Sequence, residues 1–128
     1  MKLLLDTHIF IWWANAPEKL SPVELSALED ETNGLVLSVA SVWEMQVKTQ
    51  LGKLKLGQPL KELIEGQQEI NDLQVLPIEL SHVLALDSLP LHHKDPFDRL
   101  LIAQSIVEDA TLVTADEKFS AYSAKLLK

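Results

Sequence analysis

Cysteine is absent from this sequence, and both positive charge and long apolar runs are scarce. Without cysteine there is no disulfide framework, no thiolate metal ligand and no thiol nucleophile. The absence fits a reducing compartment, and the expectation is a cytoplasmic protein. No apolar stretch approaches the roughly 20 residues that a membrane-spanning helix needs. Met1-Lys2-Leu3-Leu4-Leu5 starts like a signal peptide, but Asp6 and His8 interrupt it and no small-residue cleavage site follows. Lys and Arg number 11 against 19 Asp and Glu, giving a net charge of -8. Such a chain lacks the basic face that broad electrostatic binding to nucleic acid requires. Any action on a nucleic acid must therefore rely on cations that neutralise the acids concerned. The same balance suits a basic protein partner. Internal repeats, low-complexity segments and long linkers are missing too.

What is present is an ordinary globular balance, 47% hydrophobic and 23% charged over 128 residues. That is enough to bury a core, and the expectation is a single domain over residues 1–128. Short apolar runs alternate with longer amphipathic ones. Strands are predicted at Lys2 to Leu5, Leu35 to Val39, Leu73 to Ile78 and Leu112 to Thr114. Helices are predicted at Thr7 to Asn15, Pro22 to Glu31, Ser41 to Leu51, Pro59 to Ile70 and Ser81 to Ser88. Another runs from Pro96 to Asp109, where Leu100, Leu101, Ala103, Ile106 and Val107 form a broad apolar stripe. A last helix is predicted over Glu117 to Leu126. Strands separated by helices imply βαβ units, a central parallel sheet and a three-layer α/β/α sandwich.

In such a fold, ligands bind in the crevice beyond the C-terminal ends of the strands. Four acids fall there. Asp6 follows the first strand directly. Glu44 lies in the first turn of the helix after the second strand. Asp98 lies in the first turn of the helix beginning at Pro96, and Asp116 stands two residues beyond the last strand. Carboxylates gathered without partners repel one another and take up protons. A hard divalent cation such as Mg²⁺ or Mn²⁺ resolves the repulsion with oxygen ligands alone. It would also activate water and stabilise a leaving oxygen in phosphodiester hydrolysis.

Each acid has a structural role to set against this one. Ser41-Val-Trp-Glu44 fits a capping box. Asp95-Pro96-Phe97-Asp98 fits a helix start, with Asp95 as the cap and Asp98 complementing the helix dipole. Asp116 fits a cap of the last helix. Asp6, at the end of a very apolar strand, is hardest to explain without a partner or metal. His92 and His93 read as a solvated loop, and His8 and His82 as isolated core or surface residues. Trp12, Trp13 and Trp43 read as core or subunit packing rather than base-stacking platforms. Lys48, Lys53 and Lys55 read as a solvated face, while Lys94 and Arg99 flank the acids and could hold phosphate.

Several segments carry a family resemblance. They are Leu-Leu-Leu-Asp6-Thr7-His8, Ser38-Val-Ala-Ser41-Val-Trp-Glu44, His92-His-Lys-Asp95-Pro-Phe-Asp98-Arg99-Leu-Leu-Ile-Ala-Gln104 and Leu112-Val-Thr114-Ala-Asp116. Together they resemble PIN-domain proteins, most of all the VapC-type toxins of bacterial toxin–antitoxin pairs. The likeness spans essentially the whole chain, and Asp-Pro-Phe-Asp-Arg-Leu-Leu-Ile-Ala-Gln is its most specific part. It implies a Mg²⁺- or Mn²⁺-dependent endoribonuclease with an acidic quartet at Asp6, Glu44, Asp98 and Asp116. Asp6 and Asp98 would ligate the metal directly, and Asp116 directly or through water. Glu44 would hold or orient a water. Thr7 and Thr114 match positions that support these acids. The resemblance further implies a homodimer and a cognate antitoxin whose tail crosses the active-site groove, often placing an arginine among the acids.

Two readings compete with RNA cleavage: a PIN-like module that binds a partner without catalysis, and a metal-dependent nuclease acting on DNA. Haloacid-dehalogenase-type phosphatases need Asp-x-Asp after the first strand, and position 8 here is histidine. The paired acids and acceptor aspartate of phosphoacceptor receiver domains are also missing.

Overall fold

Each strand after the first is reached through helical chain, so every pairing in the sheet is parallel. The computed structural model describes all 128 residues, Met1–Lys128. β1 (Lys2–Leu5) leads into α1 (Thr7–Asn15) and α2 (Pro22–Glu29); β2 (Gly34–Ser38) leads into α3 (Val39–Gln50) and α4 (Leu60–Asn71). β3 (Gln74–Leu76) is followed by α5 (Leu80–Ala85) and α6 (Pro96–Val107), then β4 (Thr111–Val113) and β5 (Leu126–Leu127). The sheet order is β3-β2-β1-β4-β5. Leu4 stands opposite Val36 on one side and Leu112 on the other. No helix is long and apolar enough to cross a membrane.

Alternate strand residues face opposite layers. Leu3, Leu5, Leu35, Leu37 and Val113 pack with Ile9 and Phe10 of α1, Leu28 of α2, Met45 of α3 and Leu63 of α4. Leu4, Val36 and Leu112 pack with Leu101 and Ile102 of α6 and with Phe119 and Tyr122. A sheet covered on both faces needs apolar residues at every position, which is why the strands read as unbroken apolar runs. The α/β/α sandwich expected from the sequence is the fold.

Two local expectations fail. The helix predicted over Glu117 to Leu126 is only a short 3-10 helix, Glu117–Ala121, followed by the edge strand β5. The backbone decides this. β4 has a free edge, and the N–H groups of Leu112 and Thr114 donate to the carbonyls of Lys125 and Leu127 at 2.8 and 3.0 Å. Ser120 and Ser123 are poor helix formers, and Tyr122 is already extended. The second failure concerns the capping box at Ser41. α3 starts two residues earlier, with Ser38 as its cap and its hydroxyl accepting from Ala40 N at 3.0 Å. Glu44 therefore sits in the second turn with its side chain free for other work. A capping box of the Ser-x-x-Glu kind does form at Ser21 with Glu24, at the start of α2.

Leu4 is fully buried and touches both neighbouring strands. Leu4→Ala is expected to cost about 2–5 kcal/mol of stability, read as a fall in the urea midpoint with little change in slope.

Candidate active site

β1 is the switch point of the sheet, because the chain leaves it toward β2 on one side while β4 joins it on the other. Such a point opens a crevice at the strands' C-terminal ends. Asp6 stands at the N-cap position of α1 there, 4% exposed, and its backbone N–H donates to Val113 O at 3.0 Å. Its Oδ2 accepts a hydrogen bond from Thr114 Oγ1 at 2.9 Å. The same Thr114 hydroxyl oxygen accepts from Asp116 N at 3.0 Å, so one threonine fixes two acids. Asp116 caps the 3-10 turn, with Oδ1 accepting from Lys118 N at 2.9 Å. Asp6 and Asp116 share a pocket of about 290 Å³ with His8, Trp12 and Ala115.

Glu44 enters from α3 and is 3% exposed. Its Oε1 lies 2.7 Å from Thr7 Oγ1, and Thr7 Oγ1 lies 2.9 Å from Ser41 Oγ. A threonine hydroxyl carries one proton. It goes to the carboxylate, so the Ser41 hydroxyl donates to Thr7. Glu44 Oε2 pairs with Lys48 Nζ at 2.6 Å, one helical turn along. This bond is the main reason that the Lys48 ammonium is held above its ordinary pKa.

Asp98 comes from the first turn of α6, which Asp95 caps by accepting from the N–H groups of Phe97 and Asp98 at 2.9 and 3.1 Å. Burial pushes the Asp98 carboxyl up to about 8, and Asp6, Asp95, Glu44 and Asp116 all push in the same direction. Burial also raises Asp6, against the opposing hydrogen bond from Thr114. His93 faces these acids. Its Nε2 stands 2.9 Å from Asp98 Oδ2 and 3.7 Å from Asp116 Oδ2. Neither contact has the geometry of a hydrogen bond, so this buried nitrogen has no proper partner. Tyr122 Oη accepts the His93 backbone N–H at 2.9 Å and so fixes the loop that carries it.

The PIN domain family matches residues 3–125. The chain belongs to this family. As a PIN domain it is 27% identical over 122 residues to Ribonuclease VapC22 of Mycobacterium tuberculosis, covering 94% of this chain and 91% of that protein. The fold is similar to a chain in the crystal structure of VapBC2 from Rickettsia felis bound to a promoter DNA fragment. The TM-score is 0.76 at 20% identity, over 99% of this chain and 98% of that one. A chain of DNA-bound VapBC from Salmonella typhimurium gives 0.73 at 15% identity, over 99% and 97%.

The PIN fold thus brings the four expected acids to one crevice, but divides them. Glu44 has its own cation and hydroxyl donor. Asp98 and Asp116 lie with His93 so that one ligand atom from each falls within 4.8 Å of the others. Asp6 borders the same crevice and acts on Asp98 through its charge. The loop reading of His93 was incomplete, since the side chain is 8% exposed and aimed at the acids. Its signal was the Asp95-Pro96 helix start, which folds the residue two before the cap beside the first turn. Arg99 also departs from expectation: its Nη2 donates to Leu89 O at 3.2 Å and Leu86 O at 3.5 Å. One terminal nitrogen of the guanidinium is thus turned to backbone, while its Nε is buried without a partner. Trp43 is 58% exposed, edge-on to Phe97 at 5.0 Å, and so does not belong to the core. Another depression, of about 310 Å³, lies at the opposite edge of the sheet near Asp30, Gly34 and Asp72, away from all these groups.

The pH dependence of the metal-free protein follows from Asp98. Its folded pKa is raised, so between its ordinary value of 3.8 and about 8 the native state holds a proton that the unfolded state has lost. Stability must therefore fall as pH rises through that window and level off above it. Urea midpoints in EDTA between about pH 5 and 8.5 should show this decline, and Asp98→Asn should flatten most of it. A wild-type profile parallel to that of Asp98→Asn would refute the shift.

Proposed function

We propose that this chain is a metal-dependent endoribonuclease, the toxin of a toxin–antitoxin pair, with Asp6, Glu44, Asp98 and Asp116 as its catalytic residues. The observation that carries the reading is the convergence of four acids at the switch point of the sheet, Asp6 and Glu44 buried among them, with burial and the neighbouring carboxylates pushing the Asp98 carboxyl up to about 8. The donor set fits a hard divalent cation, Mg²⁺ or Mn²⁺. Asp98 and Asp116 offer oxygens close enough to share one ion, Asp6 adds a third acid from β1, and the unpartnered His93 nitrogen faces the same space. When bound, the cation supplies Lewis acidity toward a phosphodiester.

The protein's own groups have separable tasks. Thr114 holds Asp6 and Asp116 at fixed spacing. Both oxygens of Glu44 are engaged, by Thr7 and Lys48, which suits it to orient an attacking water or receive its proton rather than to ligate. The ribonuclease name of the Mycobacterium tuberculosis relative supports RNA as substrate, and the neighbours in VapBC crystal structures support an antitoxin partner. An acidic crevice suits a basic antitoxin segment. A homodimer gains support from α5, which leaves Leu80, Val83 and Leu84 exposed on one short helix. A single-domain, cytoplasmic protein agrees with this reading.

Asp6→Asn and Asp98→Asn should each lower Mn²⁺-dependent cleavage of single-stranded RNA by roughly 100-fold or more, while circular dichroism shows an intact fold. Matched RNA and DNA oligonucleotides decide the substrate class. Wild-type cleavage that persists in excess EDTA would overturn the mechanism. Expression should arrest growth, and co-expression of the neighbouring gene product should relieve it.

A further inference from the structure

α3 ends in a turn that governs where the next lysines go. Gly52, at φ +72, occupies the left-handed position after the helix. Lys53 N donates to Lys48 O at 2.9 Å and Gly52 N to Thr49 O at 3.1 Å, the paired bonds of a Schellman motif. The chain then runs back over the end of α1, where Asn15 Nδ2 donates to Leu56 O at 3.1 Å. Leu54 and Leu56 pack into the core, which leaves Lys53 and Lys55, alternating with them, outside. The result is a groove of about 540 Å³ lined by Lys19, Lys48, Lys53 and Lys55 together with His8 and Trp12.

Three observations give this groove meaning. Five lysines pair with a carboxylate: Lys2, Lys48, Lys61, Lys125 and Lys128. Five do not, and three of those, Lys19, Lys53 and Lys55, line this one groove of a chain with net charge -8. The groove also runs into the crevice, since His8 and Trp12 line both it and the pocket of Asp6 and Asp116. Their rings stand 6.1 Å apart at the junction, where a base could stack. Lys48 bridges the two regions through Glu44.

We infer that Lys19, Lys53 and Lys55 form a backbone track that holds the phosphates of a single RNA strand leading into the acidic crevice. The inference rests on the proposed ribonuclease activity, deepening it by naming where the substrate lies. Unpaired ammonium groups in a row neutralise phosphates without reading sequence. The track also answers how so acidic a chain binds RNA, because the positive charge is concentrated beside the site rather than spread over a face. It revises the reading of Lys53 and Lys55 as a merely solvated face.

The test uses fluorescence anisotropy with a labelled oligouridylate of about 12 nucleotides, in an Asp98→Asn background so that the RNA stays intact. Each lost phosphate contact on a single strand removes about 0.7 from the slope of log affinity against log salt. Lys19→Ala/Lys53→Ala/Lys55→Ala should therefore flatten the slope by about 2 and weaken binding at low salt by tenfold or more. Lys125→Ala, whose partner is Asp109, should change neither. An unchanged slope in the triple variant, or no measurable binding by the background protein, overturns the track. So does a triple variant that binds RNA normally but loses its antitoxin, which would make the groove a protein dock. Cleavage by the wild type is scored separately. Its failure would sink the ribonuclease reading, whereas intact cleavage with an unchanged slope would sink only the track.

Discussion

Repulsion among carboxylates at one edge of a parallel sheet is the constraint to which the rest of this structure answers. Asp6, Glu44, Asp98 and Asp116 arrive from four separate stretches of chain, and the apolar sheet that delivers them also deprives them of water. Removing water penalises the charged form, and each neighbouring acid adds to the penalty. Part of the cost is offset locally. Asp6, Asp98 and Asp116 stand at or near helix N-termini, where backbone N–H groups and the helix dipole favour negative charge. Threonine hydroxyls donate to Asp6 and Glu44. These devices do not suffice at Asp98, whose proton is retained to about pH 8.

The uneven supply of positive charge explains the division of labour. Glu44 has Lys48 at 2.6 Å and needs nothing further. Asp6, Asp98 and Asp116 pair with no lysine or arginine, and Arg99, adjacent to Asp98 in sequence, turns its Nη2 to two carbonyls of the preceding loop instead. His93 fills the gap only in part, its ring nitrogen near two carboxylates but well aligned with neither. A compact divalent ion meets the remaining deficit more fully than any side chain, because it places two charges among oxygens already within reach. The deficit thus lies where phosphate chemistry would need the cation.

Much of this was legible in the sequence, for a physical reason. Doubly covered parallel strands must be apolar throughout, so β1, β2 and β4 announce themselves, and whatever polar residue ends such a run stands at the functional edge. Asp6 and Asp116 were found by that rule, and Asp95 as a cap by the chemistry of Asp-Pro. The failures involve choices that local pattern does not settle. Ser38 and Ser41 both suit a helix cap, and the buried hydrogen bond from Ser38 to Gln104 of α6, a contact 66 residues away in the chain, favours the earlier start. β5 forms because β4 has a free edge, a fact about the assembled sheet. His93 was hidden because adjacent histidines before a charged helix start look solvated until Phe119 and Tyr122, 26 and 29 residues later, close over the loop.

The same electrostatic deficit ties activation to restraint. Anything that brings positive charge into the crevice relieves the repulsion, whether a divalent cation or a cationic side chain from a partner, and each stabilises the folded chain by binding it. Two such occupants cannot both fill the space beside Asp98 and Asp116, so their binding is antagonistic by linkage. A basic antitoxin segment in the acid cluster would therefore restrain the enzyme in two ways, by covering the crevice and by removing the reason for the metal to be there. The unpaired lysines beyond His8 and Trp12 lie outside this competition, since they attract phosphate and repel a basic segment. A phosphate strand and a basic segment would then be sorted by charge along one continuous surface, with the acids at one end and the lysines at the other.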